Sequence, residues 1–398
     1  MAKQTGRVHD CSIEAQEEPF SYAVEFENGG LICQGEGRPT CTFIVHDERS
    51  WLRLQRSDPY QIARAFIASK FAVEGDLVEA IKIYRSVLNR HPGFSLNTVA
   101  IYLWHLLGSV LRRGSSAQDV KFHYDRSNEF YRLFLDSRMV YSCAYFKTKD
   151  TPLDAAQLAK LEHICRKLRL YPGDRFLDVG CGWGSLVLHS ASQYGTFSTG
   201  CTLSSEQRFR AVTEAERQNL STRAKILECD YRDVIGKFDK IASIGMFEHV
   251  GRRDLHTYFE KMHMLLADGG LFLNHGIVRP QQVRSGPEAL FLARHVFPGG
   301  ELVRLTDVIE SAENAGFEVF DIENLRPHYA LTCRAWVNRL CTHRDECLQY
   351  IDVELYQTWL LYLAASAASF EAGDTEIHQA LFVKRGEKRP LTRDYIYL

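Results

Sequence analysis

Three groups of reactive residues stand out in this chain. An acid precedes a glycine-rich turn in Phe176-Leu177-Asp178-Val179-Gly180-Cys181-Gly182-Trp183-Gly184. An acid–histidine pair sits in Gly245-Met246-Phe247-Glu248-His249-Val250-Gly251, and a histidine interrupts an apolar run at Asn274-His275-Gly276-Ile277. Glycines let a backbone approach a ligand closely, and the helix expected at Ser185–His189 offers unpaired N–H groups and a partial positive charge. That combination holds a polar ligand, although a GxGxG turn alone fits a tight turn or a dinucleotide site equally well. A dinucleotide fold would place an acid at the end of the next strand. Gly200-Cys201-Thr202-Leu203-Ser204-Ser205-Glu206-Gln207 has none there; Glu206 comes only later, which weakens the NAD reading. Cys229-Asp230-Tyr231-Arg232-Asp233 joins an acid to an aromatic, a pairing that suits an adenine ring or a plain strand-end turn.

These residues need a sheet edge to bring them together. From Arg175 onward strands and helices alternate, which predicts a parallel sheet covered by helices. Strands are expected over 176–180, 196–202, 224–229, 239–244, 270–277, 317–323 and 376–384. Helices are expected over 184–194, 204–219, 252–266 and 305–315, with one long helical stretch over 328–371. Glu248 and His275 then share the carboxyl edge of the sheet, the usual ligand crevice. The plain alternatives are a helix start for Glu248-His249 and a core histidine for His275. Upstream, His123–Tyr131 and Met139-Val140-Tyr141-Ser142-Cys143-Ala144-Tyr145-Phe146 are aromatic-rich and read as a lid or as a packed N-terminal helix. Cys143 has no base assignable from sequence, and a buried thiol is its commoner role.

The N-terminal part has a different grammar. Residues 1–18 form a polar tail. Residues 19–111 read as an α+β unit, with Asn28-Gly29-Gly30 as a hairpin turn and Leu77–Leu88 as an amphipathic helix. Residues 112–117 are a linker, and a second domain spans 118–398. The chain has 398 residues, 45% hydrophobic and 25% charged, with a formal net charge of -2, so it carries no general attraction for nucleic acid. The 11 cysteines show no CxxC spacing, which predicts neither a zinc site nor a disulfide framework and suits a reducing cytoplasm. No secretory leader or membrane span is expected.

Taken together, these motifs resemble the cyclopropane-fatty-acid synthase family of S-adenosylmethionine-dependent methyltransferases, which includes the mycolic acid cyclopropane synthases. The resemblance runs over about residues 118–385 and also takes in Phe297-Pro298-Gly299-Gly300, Tyr329 and Trp336. It implies a Rossmann-like class I methyltransferase fold, an α/β architecture whose seven-stranded, mostly parallel sheet carries helices on both faces. It implies S-adenosylmethionine contacts from Tyr141 and Ser142 in the lid, and from Asp178, Gly180 and Gly182 in the methionine loop. Thr202, Leu203 and Gln207 would lie around the ribose, and Tyr231 and Arg232 near the adenine. It further implies a bicarbonate ion held by Cys143, Glu248, His275, Ile277 and Tyr329. Ser366 stands where the family often has Cys.

The activity implied is methylene transfer to the cis double bond of an unsaturated phospholipid acyl chain. Such a bond is a poor nucleophile, and methyl addition leaves a carbocation that must lose a proton before a ring closes. The site therefore needs dry, aromatic walls and a base, with bicarbonate as that base and Glu248 accepting its hydrogen bond. The expected setting is the cytoplasm, with peripheral contact at the inner face of the membrane. Arg252-Arg253 and Lys384–Arg389 are candidate headgroup contacts, although for each taken alone a solvated charged surface is the commoner role. The N-terminal unit would engage lipid or form a homodimer contact. Rival readings are a methyl-branched acyl product, methylation of a small amine, or a lipid-binding protein without activity.

Overall fold

A computed structural model describes residues 20–88, 128–282 and 302–397. The chain divides into two compact units. The smaller comprises the residues up to Arg56 together with Lys70–Arg90. Its sheet contains β1 (Tyr22–Phe26), β2 (Leu31–Gln34), β3 (Cys41–Val45) and β4 (Ala72–Gly75), in the order β2-β1-β3-β4. The β1–β2 hairpin turns at Asn28–Gly30, where Gly29 takes φ 90°, a left-handed conformation suited to glycine. Helix α1 (Glu48–Gln55) is capped by Asp47, whose carboxylate accepts from Ser50 N. Helix α3 (Leu77–Ile83) ends in a π-turn over Tyr84–Leu88, shorter than the single helix expected. The Ser86 hydroxyl there donates to Lys82 O at 2.6 Å, a back-bond that competes with regular helix.

Between these two helices, α2 (Pro59–Ile67) belongs to the larger unit, although the sequence placed it within an N-terminal domain over 19–111. It buries Tyr60, Ala63, Phe66 and Ile67 and packs against α11 (Val353–Ala372). The expected linker at 112–117 lies outside the described residues.

The larger unit is an α/β fold around seven strands. They are β5 (Arg175–Val179), β6 (Phe197–Thr202), β7 (Ala224–Glu228), β8 (Phe238–Ile244), β9 (Leu266–Val278), β10 (Phe317–Asn324) and β11 (Glu376–Lys384). Their order is β10-β11-β9-β8-β5-β6-β7, with β11 antiparallel to both neighbours and the other pairings parallel. The connections run outward from β5 in one direction and from β8 in the other. The switch point therefore falls between β5 and β8, where an open α/β sheet leaves a crevice beyond its carboxyl ends.

Helices α8 (Leu255–Leu265) and α9 (Leu305–Asn314) cover one face, sharing a core with Phe259, Phe272, Phe317 and Phe382. Helix α5 (Leu153–Lys167) covers the other through Leu161, Ile164 and Cys165, together with Leu186 of α6 (Ser185–Tyr194). Helix α7 (Ser205–Arg217) packs on α6 at the β7 end. The long helical stretch expected over 328–371 is divided into α10 (Arg326–Thr342), a short turn at Arg344–Cys347, and α11. Asp352 starts α11 by accepting from Leu355 N at 2.8 Å, so the chain restarts a helix where the sequence suggested continuity. No helix among the described residues is long and apolar enough to cross a membrane.

Candidate active site

The crevice at the β5/β8 switch point is a cavity, and its walls come from every element that ends there. Asp178 is the next-to-last residue of β5, before Val179, and Gly180, Cys181, Gly182 and Trp183 form the turn into α6. Gly180 holds φ 77°, and a Cβ there would come within 2.8 Å of the Met246 side chain, so only glycine fits. Both Gly180 N and Cys181 N donate to Cys201 O at 3.0 Å, which pins the turn to β6. Thr202, Leu203 and Gln207 line the β6 side, where the Thr202 hydroxyl donates to Gln207 Oε1 at 2.7 Å. Asp230, Tyr231 and Arg232 line the end near β7. The Arg232 guanidinium grips the Asp230 carboxylate with two bonds of 2.8 Å and therefore orients that acid. Tyr231 meets Tyr258 edge-on with centroids 5.6 Å apart, which fixes its ring at the cavity wall.

The lid side comes from Met139–Ser142 and the short helix α4 (Asn128–Phe134). Trp183 Nε1 donates to Asn128 Oδ1 at 2.6 Å and Ser185 Oγ to Arg138 O at 2.6 Å, so the glycine turn and lid are tied together. The Tyr141 ring packs among Tyr131, Phe134, Trp336 and Trp359, with centroid distances of 5.1 to 6.2 Å. The structure thus brings Tyr141, Ser142, Asp178, Gly180, Gly182, Thr202, Leu203, Gln207, Tyr231 and Arg232 to one cavity. His123–Ser127 and Phe297–Gly300 lie outside the described residues.

The second predicted set is not among the residues lining this cavity; Cys143 and His275 are fully buried, and Glu248, Ile277 and Tyr329 are partly buried. Glu248, in the turn Phe247–His249 after β8, accepts from Ile277 N through Oε1 at 2.8 Å. Its Oε2 is buried without a hydrogen-bond partner among the described residues, and burial pushes the carboxyl up to about 7. His275 and Ile277 share one face of β9, while Gly276 between them backs onto the Phe247 ring. His275 is fully buried, which holds its pKa well below the usual imidazole range and keeps it neutral. Gln379 of β11 stands opposite His275 in register, its Nε2 3.1 Å from His275 Nδ1. With the amide donating to Nδ1, the ring proton sits on Nε2, which is buried and has no partner among the described residues.

Tyr329 enters from α10, faces Phe370 at 4.6 Å, and lies within electrostatic range of Cys143 and Glu248. The Cys143 thiol is fully buried, which pushes its pKa far up; it is no nucleophile, as its Sγ points to Ala144 O at 3.3 Å. Ser366 donates to Tyr362 O at 2.9 Å within α11. Among the described residues no acid, histidine and cysteine cluster of metal-ligating form is present.

Sequence reading missed Lys160, Gln157 and Gln379. Lys160 and Gln157 come from α5, which precedes the sheet and carries no glycine or acid–histidine signal. Yet Gln157 Nε2 donates to Ser142 O at 2.9 Å, and Lys160 Nζ reaches Ser142 Oγ at 3.1 Å inside the cavity. Polar residues on the core face of an amphipathic helix were the available signal. Gln379 sits in an apolar strand whose partner only pairing reveals.

Residues 112–380 match the family model described as mycolic acid cyclopropane synthetase. The chain is 38% identical over 358 residues to a probable fatty acid methyltransferase of Pseudomonas putida, covering 87% of this chain and 88% of that protein. It is 34% identical over 278 residues to cyclopropane mycolic acid synthase MmaA2 of Mycobacterium tuberculosis, covering 67% of this chain and 97% of that one. Among solved structures, mycolic acid cyclopropane synthase CmaA1 complexed with SAH and CTAB superposes with a TM-score of 0.65. The identity is 32%, covering 67% of this chain and 98% of that one. Coclaurine N-methyltransferase reaches 0.63 at 19% identity and shares the fold.

Proposed function

The chain belongs to the mycolic acid cyclopropane synthetase family of S-adenosylmethionine-dependent methyltransferases, and from that membership we propose that it is a cyclopropane-fatty-acyl-phospholipid synthase. Its substrate would be an unsaturated phospholipid acyl chain, with bicarbonate bound as the base. The observation that carries this reading is that Glu248 Oε2 and His275 Nε2 are each buried and, among the described residues, without a hydrogen-bond partner. A buried polar group without a partner is costly, so each of these atoms supports a small polar occupant beside it.

Bound S-adenosylmethionine would supply an electrophilic sulfonium methyl. The rings of Tyr141, Trp336 and Trp359 would exclude water and tolerate developing positive charge in the acyl chain. His275 would donate from Nε2 to a bicarbonate oxygen, and Tyr329 and Cys143 would border the ion. Glu248, near neutral pH divided between its two forms, would accept from the ion's hydroxyl when ionised. The Ile277 N–H is already engaged by Glu248, so it acts by orienting that carboxyl.

The test uses purified protein, S-adenosylmethionine and vesicles with cis-monounsaturated chains, in bicarbonate-free and bicarbonate-supplemented buffer. Acyl chains heavier by one CH₂, with cyclopropane proton resonances and bicarbonate-dependent turnover, are the expected result. Unchanged acyl chains would sink the reading. The name of the Pseudomonas putida relative favours a second product, a methyl-branched chain. A branch methyl in the same NMR spectrum would select it. Peripheral contact with the inner face of the membrane and a cytoplasmic setting follow from this substrate and stand or fall with it.

A further inference from the structure

A lysine buried in a ligand cavity needs an explanation. Lys160 is 3% exposed and lines the cavity beside Asp178, which is also 3% exposed. Among the described residues its ammonium has one hydrogen bond, to the Ser142 hydroxyl at 3.1 Å. Asp178 Oδ1 is buried at the same end of the cavity and has no hydrogen-bond partner among the described residues. One cation and one anion therefore face the same cavity, each without a full set of partners. Burying a charge without a full set of hydrogen bonds is costly, and an arriving group of opposite sign would offset that cost.

The simplest structural role for Lys160 would be to neutralise a neighbouring acid. Asp136 is one such acid and interacts electrostatically with Lys160, but its two carboxylate oxygens already accept from Val140 N at 2.7 Å and Arg138 N at 3.1 Å, so the ammonium remains available to the cavity. Helix α5 also holds the cavity wall by a second contact, since Gln157 Nε2 donates to Ser142 O. The lysine is thus presented on a fixed helix beside a fixed lid residue.

We infer that Lys160, with the Ser142 hydroxyl, binds the carboxylate of the methionine end of S-adenosylmethionine, while Asp178 takes the neighbouring α-ammonium. The inference rests on the S-adenosylmethionine reading of the cavity and goes beyond it by assigning the two ends of the zwitterion. Charge complementarity gives the direction: an amino-acid end carries one charge of each sign a few bonds apart, and the cavity offers the opposite pair. Among the described residues lining the cavity, Lys160 is the one lysine or arginine at that end, because the Arg232 guanidinium lies at the far end, occupied by Asp230.

Titration calorimetry with S-adenosylmethionine and with decarboxylated S-adenosylmethionine tests this without turnover. The decarboxylated compound keeps the sulfonium and the amine. Wild-type protein should prefer S-adenosylmethionine by roughly tenfold to hundredfold, as expected for one charge-assisted hydrogen-bonded contact. Lys160→Met should lose most of that preference while binding the decarboxylated compound as wild type does. Lys160→Arg, which keeps the charge, should keep a preference. Equal weakening of both ligands by Lys160→Met would overturn the assignment in favour of a structural lysine. So would a wild-type protein that does not discriminate, a result that needs no variant to fold. Failure of the wild type to bind S-adenosylmethionine at all would instead remove the cofactor reading itself.

Discussion

Glu248 shows how one side chain can oppose stability and serve chemistry. Burial raises its carboxyl to about 7, so the neutral form suits the ligand-free fold. For an acid raised in this way, stability is fully present below its unfolded value near 4.5 and is lost as pH rises through about 7. Glu248→Gln keeps the acceptor for Ile277 N and removes the charge. It should therefore raise the melting temperature of the ligand-free protein at about pH 8, with little gain at about pH 5, as differential scanning calorimetry can check. The same variant should lower kcat at least a hundredfold and leave S-adenosylmethionine affinity within a few fold. His275→Ala should show the same split. A near-normal rate in either variant would end the bicarbonate assignment. Gln379→Leu removes the partner of Nδ1 and frees the ring tautomer; turnover should fall by roughly tenfold with cofactor affinity unchanged.

At the scale of elements, the site depends on where strands stop and what the following turn allows. The turn after β5 works because Gly180 can take φ 77° against Met246. Gly180→Ala adds a Cβ 2.8 Å from that side chain in a conformation few residues adopt, so about 1–3 kcal/mol of stability should be lost. Cofactor affinity, read by calorimetry, should fall by at least tenfold alongside it. Pairing of β9 with β11 places Gln379 against His275, and division of the 328–371 stretch lets α10 and α11 pack as neighbours. Asp352→Ala should cost about 1 kcal/mol by removing the cap that starts α11, with little effect on kcat.

At the scale of the molecule, three of the six basic residues that the sequence offered to anionic lipid are held in ion pairs. Arg252 pairs with Asp307 at 2.9 Å, Lys384 with Asp268 at 2.8 Å, and Arg389 with Glu318 at 2.5 Å. Locally neutralised charges attract a surface weakly, and salt screens what remains. Lys384→Ala and Arg389→Ala should therefore leave co-sedimentation with anionic vesicles nearly unchanged at low salt. A loss of binding in either would restore that stretch as a headgroup contact. Helix α2 adds a further lesson in organisation, since a segment between two elements of the small unit belongs to the large one. Sequence order alone cannot show such an excursion, because an amphipathic helix does not name its partner.

The sequence by itself determined the alternating strands and helices, the glycine turn, and the family, because period, turn chemistry and motif spacing are local properties of the chain. It also placed Asp178, Glu248 and His275 at one sheet edge, since parallel strands share a carboxyl end. It could not weigh burial. That Glu248 Oε2 and His275 Nε2 lack partners, that Arg232 is occupied by Asp230, and that Lys160 enters the cavity from α5 depend on packing between segments far apart in the chain. Desolvation and pairing are set by the surrounding atoms, and only the tertiary structure decides which atoms those are.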